Sequence, residues 1–292
     1  MPTRWLALSL FPLSLLLAGC ELENFGDSRR YQEDFQQAHP FQPGGRLYLE
    51  NFNGAVDIAG WDKESIDISG TKYASTQSAV DAIKIDVAVS GDSARIRTVR
   101  PSERWGNMGA RYTIRVPRRT TLAKVVTSNG SIEVGDIDAP VRVATSNGAV
   151  RADNLREGIE ASTSNGSITL EAVKGGVDAT TSNGSIRAEL TGASDGRPVR
   201  LRTSNGSVDL SLDGAGTGGV VATTSNASIT LRLPPGVSAD IDASTSNGSI
   251  NNEFESSFRG RSDKRHLEGS IGSGGARLEL RTSNGRIQLL KR

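Results

Sequence analysis

The sequence of 292 residues is poor in the side chains that most metal sites and covalent enzymes require. It has one Cys and two His, and aromatic residues make up only 5% of the chain. A single Cys excludes an internal disulfide, and so few His and Cys residues argue against a metal site or a Cys–His pair. We therefore expect no metal and no cofactor. With 33 Gly and few large side chains, the sequence suits a thin core of small and β-branched residues.

An excess of charge of either sign is also lacking. The chain has 34 Lys and Arg against 33 Asp and Glu, a formal net charge of +1. Proteins that bind nucleic acid through bulk charge need a strong basic excess. We therefore expect no nucleic acid among the partners of this protein.

The N-terminus is typical of a bacterial lipoprotein signal. Arg4 precedes an apolar run from Trp5 to Leu17, which is too short to span a membrane but suits a signal peptide. The run ends in Leu17-Ala18-Gly19-Cys20, which resembles the lipobox that is cut before a lipid-bearing Cys. Cys20 is thus the predicted lipid attachment site. An ordinary secretory signal cut near Ala18 is the alternative.

These features divide the chain into three parts. Residues 1–19 are predicted to be the signal peptide. Residues 20–40 are polar without an apolar period, and we interpret them as a tether. A short helix over 30–37 is the alternative for part of this segment. Residues 41–292 are predicted to form the folded domain, with diverged rungs and a cap over 41–124 and regular repeats over 125–292.

Thr-Ser-Asn-Gly repeats dominate the chain after Lys124. The tetrapeptide occurs seven times, and a Thr-Ser-Asn-Ala variant occurs once. The copies begin at Thr127, Thr145, Thr163, Thr181, Thr203, Thr245 and Thr282, and the variant begins at Thr224. The first three intervals are each 18 residues. A fixed period of this length indicates stacked structural units.

Apolar and polar residues alternate on both sides of each Asn-Gly, which predicts strands rather than helices. Val125 precedes the first copy, and Ile132 and Val134 follow it. Asn-Gly is expected to supply the positive φ angles of a tight turn. A Gly or Pro marks a second bend, as at Pro140 and Gly158. Each unit is then a strand, an Asn-Gly corner, a second strand and a Gly/Pro corner.

Such units predict an all-β, single-domain parallel β-helix (β-solenoid) of about ten rungs with an irregular N-terminal cap. Rungs about 4.8 Å apart would give a body on the order of 50 Å long. A row of antiparallel hairpins that turn at each Asn-Gly is the alternative. The identical corner in every unit favours stacking in register.

Stacking in register predicts a column of asparagines whose amides bond to one another, as in other stacked-strand assemblies. The predicted ladder consists of Asn129, Asn147, Asn165, Asn183, Asn205, Asn226, Asn247 and Asn284. The Thr column beside it is expected to be buried and hydrogen-bonded. A flat ligand-binding or ice-binding face is the functional interpretation of this array. We favour a purely architectural role because Asn-Gly is turn chemistry first.

The segments that flank the regular repeats are predicted to close the solenoid ends. Residues 47–58 contain Asn53-Gly54 between alternating strands and are interpreted as a diverged first repeat. Residues 251–275 are a charged, Gly-rich insertion, predicted to be a loop or a partial extra rung. Atypical end repeats are expected because an open solenoid end exposes strand edges.

One uneven charge cluster is a candidate binding loop. Eight Arg lie between Arg95 and Arg119, with Glu103 as the only acidic residue. The candidate residues are Arg100, Arg104, Trp105 and Arg111, because Arg and Trp are enriched where proteins bind partners. Arg would suit the phosphate or carboxylate groups of envelope lipids or glycans. A solvated hairpin is the simpler interpretation. A second, weaker cluster comprises Phe254, Phe258, Arg259, Arg261, Lys264 and Arg265, and its Phe residues are alternatively a cap on the last rungs.

The lipobox, the Asn53-Gly54 strand pair, the Thr-Ser-Asn-Gly repeats and the ending with Gly272-Ser273-Gly274-Gly275 resemble one family. It is the bacterial putative-adhesin family of β-strand repeats, a domain of unknown function. The resemblance covers about residues 40 to 292. It implies a β-helical envelope protein, often membrane-attached and sometimes associated with envelope stress. It transfers no catalytic residues.

We therefore expect a non-catalytic, adhesin-like binding or scaffolding module of the bacterial cell envelope. The lipid on Cys20 would attach it to a membrane, the outer rather than the inner one. Its partners would be envelope lipid, glycan or protein, and the sequence does not fix its oligomeric state. A β-helical enzyme acting on an envelope polysaccharide is the alternative, although the carboxylates after Lys124 form no repeated column in the sequence.

Overall fold

Two long β-sheets lie face to face and enclose the core. The computed structural model describes residues 31–102, 106–191, 196–214 and 218–292. Cys20, Arg104 and Trp105 lie outside these residues. The longest helix among them is the six-residue α1 (Gln77–Ala82), and no helix there is long and apolar enough to cross a membrane.

Over the described residues, sheet A contains 12 strands and sheet B contains 13. The strands of sheet A are β1 (Tyr31–Pro40), β3 (Val56–Trp61), β4 (Ser65–Ala74), β7 (Gly109–Pro117), β9 (Ile132–Gly135), β11 (Val150–Asp153), β13 (Ile168–Val173), β15 (Ile186–Leu190), β17 (Val208–Leu212), β19 (Ile229–Leu233), β21 (Ile250–Asn252) and β25 (Ile287–Lys291). Those of sheet B are β2 (Arg46–Glu50), β5 (Lys84–Ser90), β6 (Ser93–Val99), β8 (Thr121–Thr127), β10 (Val141–Thr145), β12 (Ile159–Ser162), β14 (Val177–Thr180), β16 (Val199–Arg202), β18 (Val220–Thr223), β20 (Ala239–Thr245), β22 (Phe258–Ser262), β23 (His266–Ile271) and β24 (Ala276–Thr282).

Each rung consists of one strand of sheet B, a corner and one strand of sheet A. In the eight rungs that contain the Thr-Ser-Asn-Gly or Thr-Ser-Asn-Ala copies, this is an asparagine corner. Equivalent residues of successive rungs pair in parallel, as Val141 does with Ile159 and Val150 with Ile168. The ten rungs are, in spatial order, β6/β7, β2/β3, β8/β9, β10/β11, β12/β13, β14/β15, β16/β17, β18/β19, β24/β25 and β20/β21. The predicted all-β solenoid of about ten rungs is therefore confirmed.

The rungs near both ends are not stacked in chain order. The first repeat, β2/β3, lies between β6/β7 and β8/β9, and the last repeat, β24/β25, lies between β18/β19 and β20/β21. Antiparallel strands then extend the sheets, with β4 and β1 beyond β7, β5 beyond β6, and β23 and β22 beyond β20. The first and last repeats are thus interior rungs, and neighbouring chain segments form the ends.

The core is thin and is filled by one alternating set of residues from each strand. In β9, Ile132 and Val134 are buried while Glu133 between them is exposed. β-Branched and small residues recur in this set because the two sheets meet over a narrow gap, where aromatic side chains have little room. Each fully buried Val, Leu or Ile contributes about 1.5–3 kcal/mol, so stability accumulates rung by rung.

The segment over 31–40 is a strand, which corrects the predicted tether and its helical alternative there. β1 pairs antiparallel with β4 over its whole length, from Tyr31 opposite Ala74 to Pro40 opposite Ser65. Only Phe35 and His39 are partly buried in β1, so the strand lacks a clear apolar alternation. Its stability comes from the edge of β4 and from Phe35, whose ring meets Tyr112 edge-on at 5.5 Å.

The insertion over 251–275 is neither a loop nor a partial rung. A short 3₁₀ turn (Glu255–Ser257) leads into the antiparallel pair β22–β23, which extends sheet B. Phe254 is fully buried and Phe258 packs partly against the same core. The two phenylalanines therefore cap the last rungs, which leaves the basic residues Arg259 and Arg261 exposed beside them.

Candidate functional site

The asparagine corner, formed by the eight Thr-Ser-Asn-Gly or Thr-Ser-Asn-Ala copies, is the most regular feature of the surface. Its Thr side chains point inwards and have exposed fractions of only 1–7%. Thr145 donates a hydrogen bond of 2.9 Å to the carbonyl oxygen of Gly130, and Thr163 donates one of 2.9 Å to that of Gly148. The other six threonines make equivalent bonds to the neighbouring rung. The Thr column therefore fastens each corner to the next.

The asparagine column forms a continuous ladder on the outside of the corner. In each bond, Nδ2 of one Asn donates to Oδ1 of the Asn in the adjacent rung. The seven bonds are 2.7–2.8 Å long and connect Asn129, Asn147, Asn165, Asn183, Asn205, Asn226, Asn284 and Asn247 in that order. All eight side chains are exposed, so each amide also keeps hydrogen-bonding capacity towards solvent.

The glycine of the corner has a different role from the one that we predicted. The repeat glycines do not have positive φ angles; Gly54 of the first, diverged repeat does. A Cβ at Gly148 would lie 2.0 Å from the carbonyl oxygen of Gly130, and one at Gly166 would lie 1.9 Å from that of Gly148. Glycine is needed there for close approach of neighbouring rungs. Ala227 is the exception, and nothing in the structure explains how it is tolerated.

The serine of each repeat is not used by the architecture in the same way. The eight residues are Ser128, Ser146, Ser164, Ser182, Ser204, Ser225, Ser246 and Ser283, and all are exposed. Their backbone carbonyls accept bonds from the next corner, as Ser128 does from Asn147. Phe52 takes the serine position in the first repeat. The corner thus presents an uncharged ridge of hydroxyl and amide groups.

The structure separates the predicted Arg-rich loop into two faces. Arg95 and Arg97 belong to β6 in sheet B, whereas Arg111 and Arg115 belong to β7 in sheet A. A side chain on one sheet faces away from those on the other. The arginines of β6 and β7 therefore do not form one patch, because consecutive strands of a rung enter different sheets.

Two of the four candidate loop residues can be placed. Arg100 is exposed, and its guanidinium lies 5.5 Å from the centre of the Phe52 ring. Arg111 lies 5.1 Å from the centre of the Tyr73 ring. Such cation–π contacts orient a guanidinium and leave its N–H donors free for an anion. Arg104 and Trp105 lie outside the described residues.

Many outward carboxylates are held by arginines of neighbouring rungs. Arg142 Nε lies 2.8 Å from Glu160, and Arg151 lies 3.1 Å from Glu133. Further pairs of this kind are Arg118–Asp136, Arg156–Asp138, Arg202–Asp178 and Arg232–Asp209. Each exposed pair contributes about 0–1 kcal/mol to stability. The alternation of arginines and carboxylates along the stack sets the pattern of surface charge.

A group of carboxylates on sheet A was missed by reasoning from the sequence. Burial raises the pKa of Asp153, and the charges of Asp136, Glu171 and Glu133 raise it further. Asp153 and Glu171 are direct neighbours in β11 and β13. A signal for this pair was present in the sequence, because Asp153 and Glu171 each stand three positions after the first apolar residue of their strands. Among the described residues, no group of three or more His, Cys, Asp or Glu is arranged to hold a metal ion.

A shallow groove crosses the opposite, Gly/Pro corner of the central rungs. It has a volume of about 560 Å³ and is lined by the starts of five sheet B strands, with Pro140 and Pro198 at its sides. The side chain of Arg197 covers Gly176, where a Cβ would lie 2.9 Å from the Arg197 Cβ. Positive φ angles occur at this corner, at Gly158, Gly175 and Gly219. The turns there, and not the asparagine corners, require left-handed backbone.

The chain is similar to one protein family and to two solved structures. A family model described as Toastrack DUF4097 matches residues 47–234. A putative cell adhesion protein from Clostridium sporogenes is similar, with 13% identity, a TM-score of 0.27, and coverage of 89% of this chain and 100% of the other. A putative adhesin from Bacteroides fragilis is also similar, with 13% identity, a TM-score of 0.41, and coverage of 88% and 97%. No curated protein matches the sequence.

Proposed function

The chain belongs to the Toastrack DUF4097 family, and on this premise we propose that it is a non-catalytic, adhesin-like module of the bacterial cell envelope. In this proposal a lipid on Cys20 anchors it to the outer membrane, and the solenoid presents its corners and ends to an envelope lipid, glycan or protein. A link to envelope stress is part of the same proposal.

The observation that carries this proposal is that hydrogen bonds join every asparagine corner to its neighbours. Thr163 bonds to the backbone of the adjacent rung, and Asn165 bonds to an Asn on each side. The repeated residues thus join the rungs into a stiff body. A stiff body is suited to hold binding surfaces at a fixed distance from its anchor, and it needs no chemistry of its own.

The carboxylates support a non-catalytic role. Glu133 and Glu160, which project from the centres of their strands, are both held by arginines of the next rung. A carboxylate oxygen that accepts a hydrogen bond from a guanidinium is engaged within the protein and is less available to a substrate. These side chains therefore act as rung-to-rung contacts.

Lipidation at Cys20 can be tested directly in cells. Cys20→Ser is expected to abolish incorporation of labelled palmitate and to release the protein from membranes, because the lipid provides the stable anchor. Density-gradient separation of the two membranes then reports where the wild-type chain resides. Recovery of wild-type protein in the soluble fraction, without palmitate, contradicts the proposed anchor.

Binding to the envelope needs a separate measurement. The Cys20→Ser chain is incubated with isolated envelope fractions at low and high salt. We expect the chain to be retained by the envelope fraction at low salt and not at high salt, since exposed charges are screened within about 10 Å at 0.1 M salt. We expect the double variant Arg100→Ala with Arg111→Ala to lose the retention at low salt. Arg142→Ala is the matched control, because that arginine is already paired with Glu160. No retention at either salt contradicts a binding role.

One observation favours the alternative of an enzyme acting on an envelope polysaccharide. The pKa of Asp153 is raised mainly by burial, and a carboxyl with a raised pKa is suited to donate a proton to a glycosidic oxygen. Release of reducing sugar from envelope glycan by the purified protein, lost in Asp153→Asn, would favour this alternative.

A further inference from the structure

Sheet A continues one strand further than sheet B at the N-terminal end of the solenoid. Beyond the shared rung β6/β7, the described residues add β4 and β1 to sheet A and only β5 to sheet B. Within this part of the chain, no strand lies opposite β1. β5 pairs only with β6, so its other edge carries backbone N–H and C=O groups without a strand partner in the described part of the chain.

The free edge of β5 is also apolar on its inner side. Ile85, Val87 and Val89 alternate with exposed residues, and all three are only partly buried although they pack against the core. Phe35 of β1 is likewise partly buried against the core from the other sheet. An additional strand beside β5 would cover these side chains and would form hydrogen bonds with the N–H and C=O groups of its free edge.

The direction of β1 shows from which side the chain arrives. β1 is antiparallel to β4, which is antiparallel to β7, so β1 runs in the same direction as the rung strands of sheet A. Tyr31 pairs with Ala74, and the adjacent Tyr73 pairs with Gly109, where β7 leaves its corner. In every rung the chain reaches this point from a strand of sheet B. A chain that enters β1 in the way that the rungs enter their sheet A strands would come from the place beside β5.

The sequence of that segment repeats a rung. Leu22-Glu23-Asn24-Phe25 is identical to Leu49-Glu50-Asn51-Phe52. In the second copy, Leu49 is buried at the end of β2, and Asn51 is 5% exposed and donates to the carbonyls of Gly54 and Ala110. These four residues are the end of a sheet B strand and the start of its corner.

We propose that residues 20–23 form an edge strand antiparallel to β5 and complete an eleventh rung with β1. The register follows from β2, because Leu49 pairs with Ile96 and Ile96 pairs with Val87. Leu22 then lies beside Val87, on the core side. Cys20 lies at the end of the solenoid rather than on a long tether. The pairing does not depend on lipidation of Cys20.

Disulfide trapping in the full chain carrying Cys20→Ala tests this register. Leu22→Cys combined with Val87→Cys is expected to form an intramolecular disulfide on mild oxidation, because neighbouring strands bring the two Cα atoms within bonding range. Leu22→Cys combined with Asp86→Cys is the matched control, since Asp86 points to the opposite face. Equal disulfide yields from the two cysteine pairs overturn the proposal. Disulfides that form only between chains also overturn it, and they would assign the edge of β5 to a second copy of the protein.

Hydrogen exchange of the β5 amides supplies a second measurement on single variants. Leu22→Asp is expected to speed exchange of the outward β5 amides by about tenfold or more, because the added strand is lost. In the proposed register Glu23 lies opposite Asp86, and like charges in that arrangement are destabilising. Glu23→Lys is therefore expected to slow the same amides. Unchanged exchange in both variants overturns the proposal even if trapping fails for lack of folding.

Discussion

Asn247 donates its ladder hydrogen bond to Asn284, a residue 37 positions later in the chain, at 2.8 Å. Asn284 in turn donates to Asn226, which belongs to the repeat before Asn247. The last repeat is thus inserted between two repeats that precede it. The ladder remains unbroken across the insertion because all three corners have the same geometry.

The ladder itself is expected to add modestly to stability. Asn165→Ala removes one donated and one accepted bond, to Asn147 and from Asn183. Because the ladder is exposed and water replaces the lost partners, we expect a loss of about 1 kcal/mol in the free energy of unfolding. Urea denaturation measures this change. Ser164→Ala, at the neighbouring exposed position, should stay within about 0.5 kcal/mol, and an equal effect of both substitutions would contradict the role of the ladder.

The buried threonines should matter more than the exposed asparagines. Thr163→Val keeps the shape of the side chain but leaves the carbonyl of Gly148 without its buried donor. We expect a loss of about 1–3 kcal/mol in the free energy of unfolding. Thr163→Ser retains the hydroxyl, so we expect it to keep most of the free energy of unfolding that Thr163→Val loses. If valine and serine are equivalent in urea denaturation, the hydrogen bond is not what keeps threonine at this position.

Contact between rungs predicts which glycines tolerate a methyl group. Gly166→Ala places a Cβ 1.9 Å from the carbonyl oxygen of Gly148, so the rungs must separate and about 1–3 kcal/mol is lost. Gly236→Ala has open space and no positive φ angle; it should be neutral within about 0.5 kcal/mol. Thermal unfolding of the two variants compares them directly, and equal melting temperatures would contradict the contact role.

Asp153 predicts a pH dependence of stability with a defined sign. Its pKa in the folded chain is raised by burial and by neighbouring carboxylates, so the folded state binds the proton more tightly than the unfolded state. Stability is therefore lost as pH rises from the ordinary Asp value, about 3.9, through the raised value. Asp153→Asn should raise the melting temperature at pH 7. Its advantage should vanish at pH 3, where both states of the wild-type carboxyl are protonated.

The same reasoning needs a control for simple removal of charge. Asp209→Asn deletes a carboxylate from the same sheet, but Asp209 is paired with Arg232. This variant should be neutral or slightly less stable at pH 7. A gain in melting temperature for both variants would indicate a general effect of net charge and would contradict the specific account of Asp153.

Deletion of residues 276–292 should affect the fold far more than an ordinary terminal truncation. It removes β24 and β25, each of which lies between two other strands. We expect loss of cooperative unfolding and rapid proteolysis of the remaining C-terminal repeats. Deletion of Lys291 and Arg292 alone removes the pairing of Lys291 with Leu233 and the exposed ion pair between Arg292 and Asp213, and should be mild. A truncated chain with wild-type urea denaturation would show that β20/β21 fills the vacated place.

Much of the fold could be predicted from the sequence because the repeat contains its own register. The alternation around Asn165 indicates the two strands, and the 18-residue period brings Asn147 and Asn165 into adjacent rungs. The rung order at the ends could not be predicted in this way. The corners of Asn226 and Asn247 differ only in Ala227 against Gly248, and this difference does not indicate which of the two asparagines is the neighbour of Asn284.

Other features could not be predicted from the sequence because one residue type has several structural roles. A glycine after an asparagine is typical of a turn, and the sequence gives no sign that Gly166 is instead a point of contact between rungs. Strand β1 could not be predicted because an edge strand needs few apolar residues, and Phe35 alone is a weak signal. The arginines of β6 and β7 seemed one cluster only because sequence proximity ignores the change of sheet at each corner.

The interior position of the last repeat has a consequence for the time order of folding. While the chain is being synthesised, β18/β19 is complete before β24/β25 exists, and the first matching rung to appear is β20/β21. That rung has the same corner as the true neighbour, so it can occupy the open edge at once. A β20/β21 rung that settles there would have to move outwards before residues 276–291 could take their native place. The native order of the last two rungs can therefore form only after residues 276–291 have been synthesised.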